Sequence, residues 1–227
     1  MSPTGFIAPE RFKYVRSGFC LCVVSWLYFT PLLPSALATT KGLNQIVTPD
    51  VQPEGDFSLS FQWQSKQIAN PYQFQAELGL TKFFEVAVFQ GIQPEETIFG
   101  TELGLIQKDP YLLSVGFLNW STNGEGPQPF LEGGFYTEHH KLFAGIQAVH
   151  NRIEAVLGYA YDFNSKYRVQ VDFQSGKENF FTLGVTWTPN DFFQVNPAIY
   201  FSNEKPSNIS GYIVFTFTKH LFGPKQP

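Results

Sequence analysis

The sequence predicts an all-β chain: a transmembrane, antiparallel, up-and-down β-barrel of about twelve strands. Three observations lead there. Apolar and polar residues alternate through about twelve short runs, the polar side of the alternation is rich in Gly, Gln and Glu, and a leader for export precedes the runs. Side chains on a strand have period two, so 166–174 sets Tyr167, Val169, Val171 and Phe173 against Arg168, Gln170, Asp172 and Gln174. Composition agrees, because 25 Phe, 10 Tyr and 4 Trp with 19 Gly in 227 residues favour strands and tight turns over helices.

The first element is the leader. Arg11, Lys13 and Arg16 precede the apolar run FCLCVVSWLYFTPLLP, and Ser35-Ala36-Leu37-Ala38 follows. A basic start, an apolar middle and a small-x-small end make residues 1–38 a secretory signal peptide cut after Ala38. An uncleaved membrane helix is the competing reading. It is disfavoured by Pro31 and Pro34 and by a run shorter than the ~20 residues a span needs. Cys20 and Cys22 both lie in the leader, which leaves the mature chain without disulfides, thiol catalysis or Cys-ligated metals. No cofactor is indicated. Taking the leader's three basic and one acidic residue from 15 and 19 leaves 12 and 18, a net charge of −6. A nucleic-acid partner needs a basic patch and is excluded on that ground.

Residues 39–55 carry Pro49 and Pro53 and no clear period, so they read as an extended periplasmic lead-in. The barrel itself occupies 56–222, in runs at 56–65, 72–80, 83–90, 98–106, 111–120, 129–137, 140–148, 152–162, 166–174, 179–188, 192–201 and 209–222. Most are 8 to 11 residues long, close to the ~9–11 that a tilted strand needs to cross a bilayer core. Parity repeats along them. Gln73, Gln75 and Glu77 oppose Phe74, Ala76 and Leu78, while Thr182, Gly184 and Thr186 oppose Phe181, Leu183, Val185 and Trp187. Residues 223–227 form a C-terminal tail.

Alternation alone does not say which face is wet. A water-soluble barrel would turn the Phe-rich face inward and show Gly, Gln and Glu to solvent. Glycines such as Gly79, Gly134, Gly158 and Gly184 would weaken an exposed strand but relieve crowding in a narrow lumen, so the greasy face is assigned to lipid. The connections agree in part: odd ones such as KQIANP, GIQPEET and STNGEGPQ are long, even ones such as TK, KDP and NS are short, and VHN and SGKE are shorter than expected of outer loops.

On this assignment Glu77, Glu85, Glu102, Glu132, Glu154, Arg168 and Asp172 line the lumen, with Lys141 and Arg152 as further counter-charges. Two readings of that interior stand side by side: a narrow acid-lined passage for small polar solutes, or a network of ion pairs that fills the lumen. Trp63, Tyr72, Trp120, Tyr136, Tyr161, Tyr167, Trp187 and Tyr200 lie near run ends, where amphipathic rings form a girdle at the headgroups.

The Ala36-Leu37-Ala38 leader end, the lead-in from Gly42 to Gly55, the Leu-Gly phrases at 157–161 and 183–187, and the last run GYIVFTFTKHLF resemble a bacterial outer-membrane β-barrel of the small porin-like or transporter-like kind. The resemblance implies outer-membrane lipid as the surrounding partner, and a barrel assembly machinery that reads Phe215, Phe217 and Phe222. The residues GPKQP after Phe222 depart from the usual terminal Phe.

Two other functions are weighed. One is a periplasmic soluble barrel binding an apolar ligand. The other is an outer-membrane lipid hydrolase with His150 and Ser175 at the rim, for which no motif is present, and the chain is read as a non-enzyme. His139-His140 at a turn have poor geometry for a metal. Pro197 predicts a bulge or a rim position, because a closed barrel has no edge where a missing N–H is harmless.

Overall fold

The computed structural model describes residues 42–124 and 126–223; the predicted signal peptide and the last four residues of the tail lie outside them. Twelve strands follow in chain order: β1 (Asp56–Gln64), β2 (Tyr72–Thr81), β3 (Phe84–Ile92), β4 (Glu95–Lys108), β5 (Tyr111–Ser121), β6 (Gln128–Tyr136), β7 (His140–Val149), β8 (Arg152–Asn164), β9 (Tyr167–Gln174), β10 (Phe180–Asn190), β11 (Phe193–Ser202) and β12 (Ile209–His220). Each pairs antiparallel with its sequence neighbours, and β1 pairs with β12 from Asp56↔His220 to Gln64↔Tyr212, so the sheet closes on itself. A contact of 2.8 Å between Asp56 Oδ1 and His220 Nδ1 fastens that seam.

Parity holds along the wall, and the greasy face is outside. Leu59, Phe74, Leu103, Leu131, Leu157, Leu183 and Phe217 are exposed, while Ser60, Gln73, Gln75, Ser114, Gln170 and Thr182 are fully buried within the barrel. Aromatic residues in register meet on the outer surface, as in Phe61–Phe74, Tyr111–Phe135 and Phe193–Phe217 with ring centroids 5.3, 5.6 and 4.9 Å apart. Such cross-strand pairs contribute about 0.2–1 kcal/mol each.

Two bulges shift parity in the middle of the wall. On β5, Asn119 takes φ 57°, and Leu118 and Asn119 both turn inward so that Trp120 faces out. An Asn tolerates that left-handed conformation better than a branched residue would. On β4 the register steps between Gly104 and Ile106, which leaves Leu105 and Ile106 both outside and turns Gln107 inward.

Pro197 stands in the middle of β11 rather than at a rim. The register is the same on either side of it, but the ladder to β10 skips Val185 and Thr186. Asn196 Nδ2 donates to Val185 O at 3.1 Å and to Thr186 Oγ1 at 3.3 Å, which replaces the donor that proline lacks.

The lead-in departs most from expectation. Residues 42–53 do not extend away from the barrel; they run into it. Leu43, Asn44, Gln45, Ile46, Val47 and Gln52 are all buried. The segment turns on itself at 43–46, where Leu43 N donates to Ile46 O at 3.1 Å and Gly42 bridges Val47. Its apolar residues find inward-facing partners, Leu43 and Ile46 against Phe143, Val156 and Ala160, and Val47 against Leu118 and Phe130. Burying each is worth about 1.5–3 kcal/mol. An apolar segment with an irregular backbone is stable there because the wall supplies both greasy contacts and hydrogen-bond partners.

Candidate functional site: the barrel interior

Inward-facing positions of the strands, together with two chain segments folded between them, form the interior. The first segment is 42–53. The second is the β1–β2 connection, whose Ile68 and Ala69 pack on Phe180, Ala198, Tyr200, Tyr212 and Val214 and partly cover the long-loop end. Asn70 secures it by accepting at its carbonyl from Gln64 Nε2 at 2.8 Å and donating from Nδ2 to Pro94 O at 2.5 Å.

All six predicted lumen carboxylates are buried within the wall: Glu77, Glu85, Glu102, Glu132, Glu154 and Asp172. Glu85 and Glu102 face each other in register across β3 and β4. Glu132, two strands on, has neither carboxylate oxygen hydrogen-bonded among the described residues, and Ser114 Oγ, in register with it, has no partner either. In a dry core each such group would cost several kcal/mol.

The cations are paired. Arg168 grips Asp162 through Nε at 2.5 Å and Nη2 at 3.1 Å. Lys141 Nζ lies 3.5 Å from the same carboxylate and 4.9 Å from the centre of the Tyr136 ring. Arg152 lies 3.4 Å from Glu154 and also pairs with Glu178 at the opposite end of the barrel. Asp162 was not singled out in the sequence, although its parity with Glu154 placed it inside. A polar cavity of about 380 Å³ opens at the short-turn end, with Glu138, His139, Asp162, Arg168, Thr186 and Gln194 among its lining residues.

The predicted girdle divides. Trp63 and Tyr72 are register partners facing outward at the long-loop end, with Trp120 nearby in height, and Tyr167 and Trp187 are partners facing outward at the other end with Tyr161. Tyr136 and Tyr200 do not belong with them. Tyr136 turns inward, donates from its hydroxyl to Asp50 Oδ1 at 2.6 Å and packs on Phe143. Tyr200 is buried inside and donates to Asn44 O. Nearness to a run end suggested the girdle for both, but each shares parity with inward neighbours, Gly134 and Ala198, and parity decides where a side chain points.

The histidines take structural positions. His150 sits at the tip of the β7–β8 turn with φ 52°. Ser175 Oγ accepts the Ala155 N–H at 2.8 Å. His139 and His140 lie at the β6–β7 turn, with His140 Nδ1 2.9 Å from Tyr159 OH. No group of three or more metal-ligating side chains converges among the described residues.

Segment and wall are cut to fit each other. A Cβ on Gly184 would stand 2.0 Å from Asn44 Oδ1, and one on Gly79 2.1 Å from Pro53 O. The glycines of the polar face thus admit a specific stretch of chain. Gln107, turned in by the β4 bulge, donates to Pro49 O at 2.7 Å and accepts from Val51 N at 3.3 Å, and Gln52 N donates to Glu85.

An even-stranded barrel closed without an edge, apolar outside and charged within, defines the class of transmembrane β-barrels. Comparisons with solved structures bear on the fold. The KdgM porin in complex with disordered oligogalacturonate superimposes with a TM-score of 0.52 over 74% of this chain and 99% of that one, at 10% identity. The KdgM porin alone gives 0.51 over the same shares, also at 10% identity. No protein-family model matches the chain, and no curated protein sequence matches it.

Proposed function

We propose that this protein is an integral outer-membrane β-barrel that passes small polar solutes passively through a narrow, acid-lined lumen. One observation carries the reading: the wall is apolar outside, and inside it holds the buried Glu132 carboxylate and amides such as Gln73 and Gln75 with unbonded atoms, which a hydrated path would satisfy. The fold similarity to the KdgM porin supports it. Carboxylates on β2, β3, β4 and β6 outnumber free cations, because Arg168 and Lys141 are bound to Asp162. The field therefore favours cations and neutral polar solutes over anions. Outer-membrane lipid around the belt, and an assembly machinery reading the aromatic end of β12, are the partners this reading requires.

Residues 42–53 and the β1–β2 connection narrow the passage, so unit conductance is expected to be small. The test is reconstitution into planar bilayers: small, cation-preferring conductance steps are expected, from a protein that shifts mobility on heating in detergent. Recovery as a soluble monomer without detergent would remove the membrane assignment, and a silent bilayer would leave a structural barrel with a filled lumen.

A soluble barrel binding an apolar ligand needs the reverse arrangement, an apolar interior and a polar exterior. Its interior here would be Gln75, Glu102, Glu132, Gln170 and Asp172, and its surface Leu103, Leu157 and Phe217.

A further inference from the structure

The tip of the inner segment is held in an unusually complete way. Asn44 N–H and Gln45 N–H both donate to Asp172 Oδ2, at 2.6 and 3.2 Å. Tyr200 OH donates to Asn44 O. The Asn44 carboxamide donates to Thr182 Oγ1 at 2.9 Å and accepts from Gln170 Nε2 at 2.9 Å, while Gln45 Nε2 donates to Phe180 O at 2.7 Å. Backbone N–H, backbone C=O and both ends of a side-chain amide are thus each read by a buried wall group.

The reading groups are also oriented by one another. Thr182 Oγ1 donates to Asp172 Oδ1 at 2.7 Å, which leaves its lone pairs for the Asn44 amide. Thr186 Oγ1 donates to Gln170 Oε1 at 3.2 Å, which turns Nε2 toward the segment. Those bonds run from wall to wall. The barrel closes through β1 and β12 without the segment, which joins no strand ladder among the described residues beyond the isolated bridge Glu54↔Gly79 at its end. Its departure would leave every strand ladder intact and a preformed cradle over Gly184.

We infer that this cradle is a recognition site for short peptides that present a tight turn bearing a carboxamide side chain, and that Asn44–Gln45 occupies it in cis as a stand-in for such a solute. The inference deepens the channel reading and rests on it for the lumen being reachable. Chemistry sets the class: Asp172 requires paired donors such as successive backbone N–H groups, Tyr200 requires an acceptor such as a peptide carbonyl, and an anionic side chain in place of the carboxamide would face the Asp172 carboxylate. Exchange of the cis segment for a peptide from solution is the event the geometry allows.

The test uses the full chain in detergent and a fluorescent synthetic peptide, Gly-Leu-Asn-Gln-Ile-Val, copied from residues 42–47. Asn44→Asp repels the cis segment and leaves the wall unchanged, so this variant should bind the peptide saturably by anisotropy and at least tenfold more tightly than the parent. Adding Gly184→Val should abolish binding by filling the space above the strand. The same peptide with Asp for Asn should not bind. No saturable binding to folded Asn44→Asp, or equal binding after Gly184→Val, overturns the inference. Should Asn44→Asp fail to fold, Asn44→Cys with Cys20→Ser and Cys22→Ser serves instead. Peptide should raise its labelling rate by maleimide, and an unchanged rate overturns the inference equally. Binding is read without any conductance, so a silent bilayer with intact peptide binding would sink the channel and spare the cradle, while conductance without binding would do the opposite.

Discussion

Leu157 and Tyr136 show what a single position means in this wall. Leu157 lies at the centre of β8 and is half exposed, on the face assigned to lipid. Leu157→Arg should lower the unfolding free energy in lipid vesicles by about 2–4 kcal/mol, the cost of a cation at the bilayer midplane. The same substitution in a water-soluble barrel would leave stability nearly unchanged, so a denaturant titration in vesicles separates the two. Tyr136 teaches a different lesson. Its parity with Glu132 and Gly134 was readable, but aromatic rings at run ends also mark girdles, and only the contact with Asp50 shows which rule prevailed. Tyr136→Phe should cost about 1.5–3 kcal/mol, since it removes a hydrogen bond to a carboxylate. Equal stability of the two proteins in the same titration would show that the contact contributes nothing.

Strands β10 and β11 carry the clearest argument at the level of elements. The proline that looked like a rim or bulge residue is mid-strand, and its neighbour's amide fills the gap it leaves. Asn196→Ala should therefore destabilise by about 1–3 kcal/mol by orphaning the Val185 carbonyl. Pro197→Ala supplies a backbone N–H, so in the double variant the Asn196→Ala penalty should shrink. A strictly additive double-mutant cycle would show that the two residues do not substitute for each other. Strand boundaries themselves were legible to within a few residues, because period two and turn residues mark them directly. The bulges at Asn119 and at Leu105 were not, since one inserted residue changes pairing without changing composition.

The molecule as a whole is a closed wall with an uneven interior: carboxylates on β2, β3, β4 and β6, and paired cations from β7 to β9. Replacing Glu102→Gln and Glu132→Gln together should lower the cation-to-anion permeability ratio several-fold, read as a shift of the reversal potential in a salt gradient. An unmoved reversal potential would place these side chains off the ion path. Arg168→Gln should change the ratio far less, because Asp162 already neutralises the guanidinium and Lys141 remains to pair with it.

Local chemistry alone determined a good deal here. Alternation, run length and the glycines of the polar face were enough to specify about twelve antiparallel strands, their closure and the side that faces outward, since each follows from which way successive side chains point. The six buried carboxylates were placed by the same parity. Residues 42–53 were beyond that reach. Leu-Asn-Gln-Ile-Val has no period that distinguishes a segment hanging free from one threaded through a barrel, and its partners Asp172, Thr182 and Tyr200 lie more than 120 residues away. Whether the glycines held open an empty space or received a chain depended on contacts across the lumen, and these exist only once the sheet has closed.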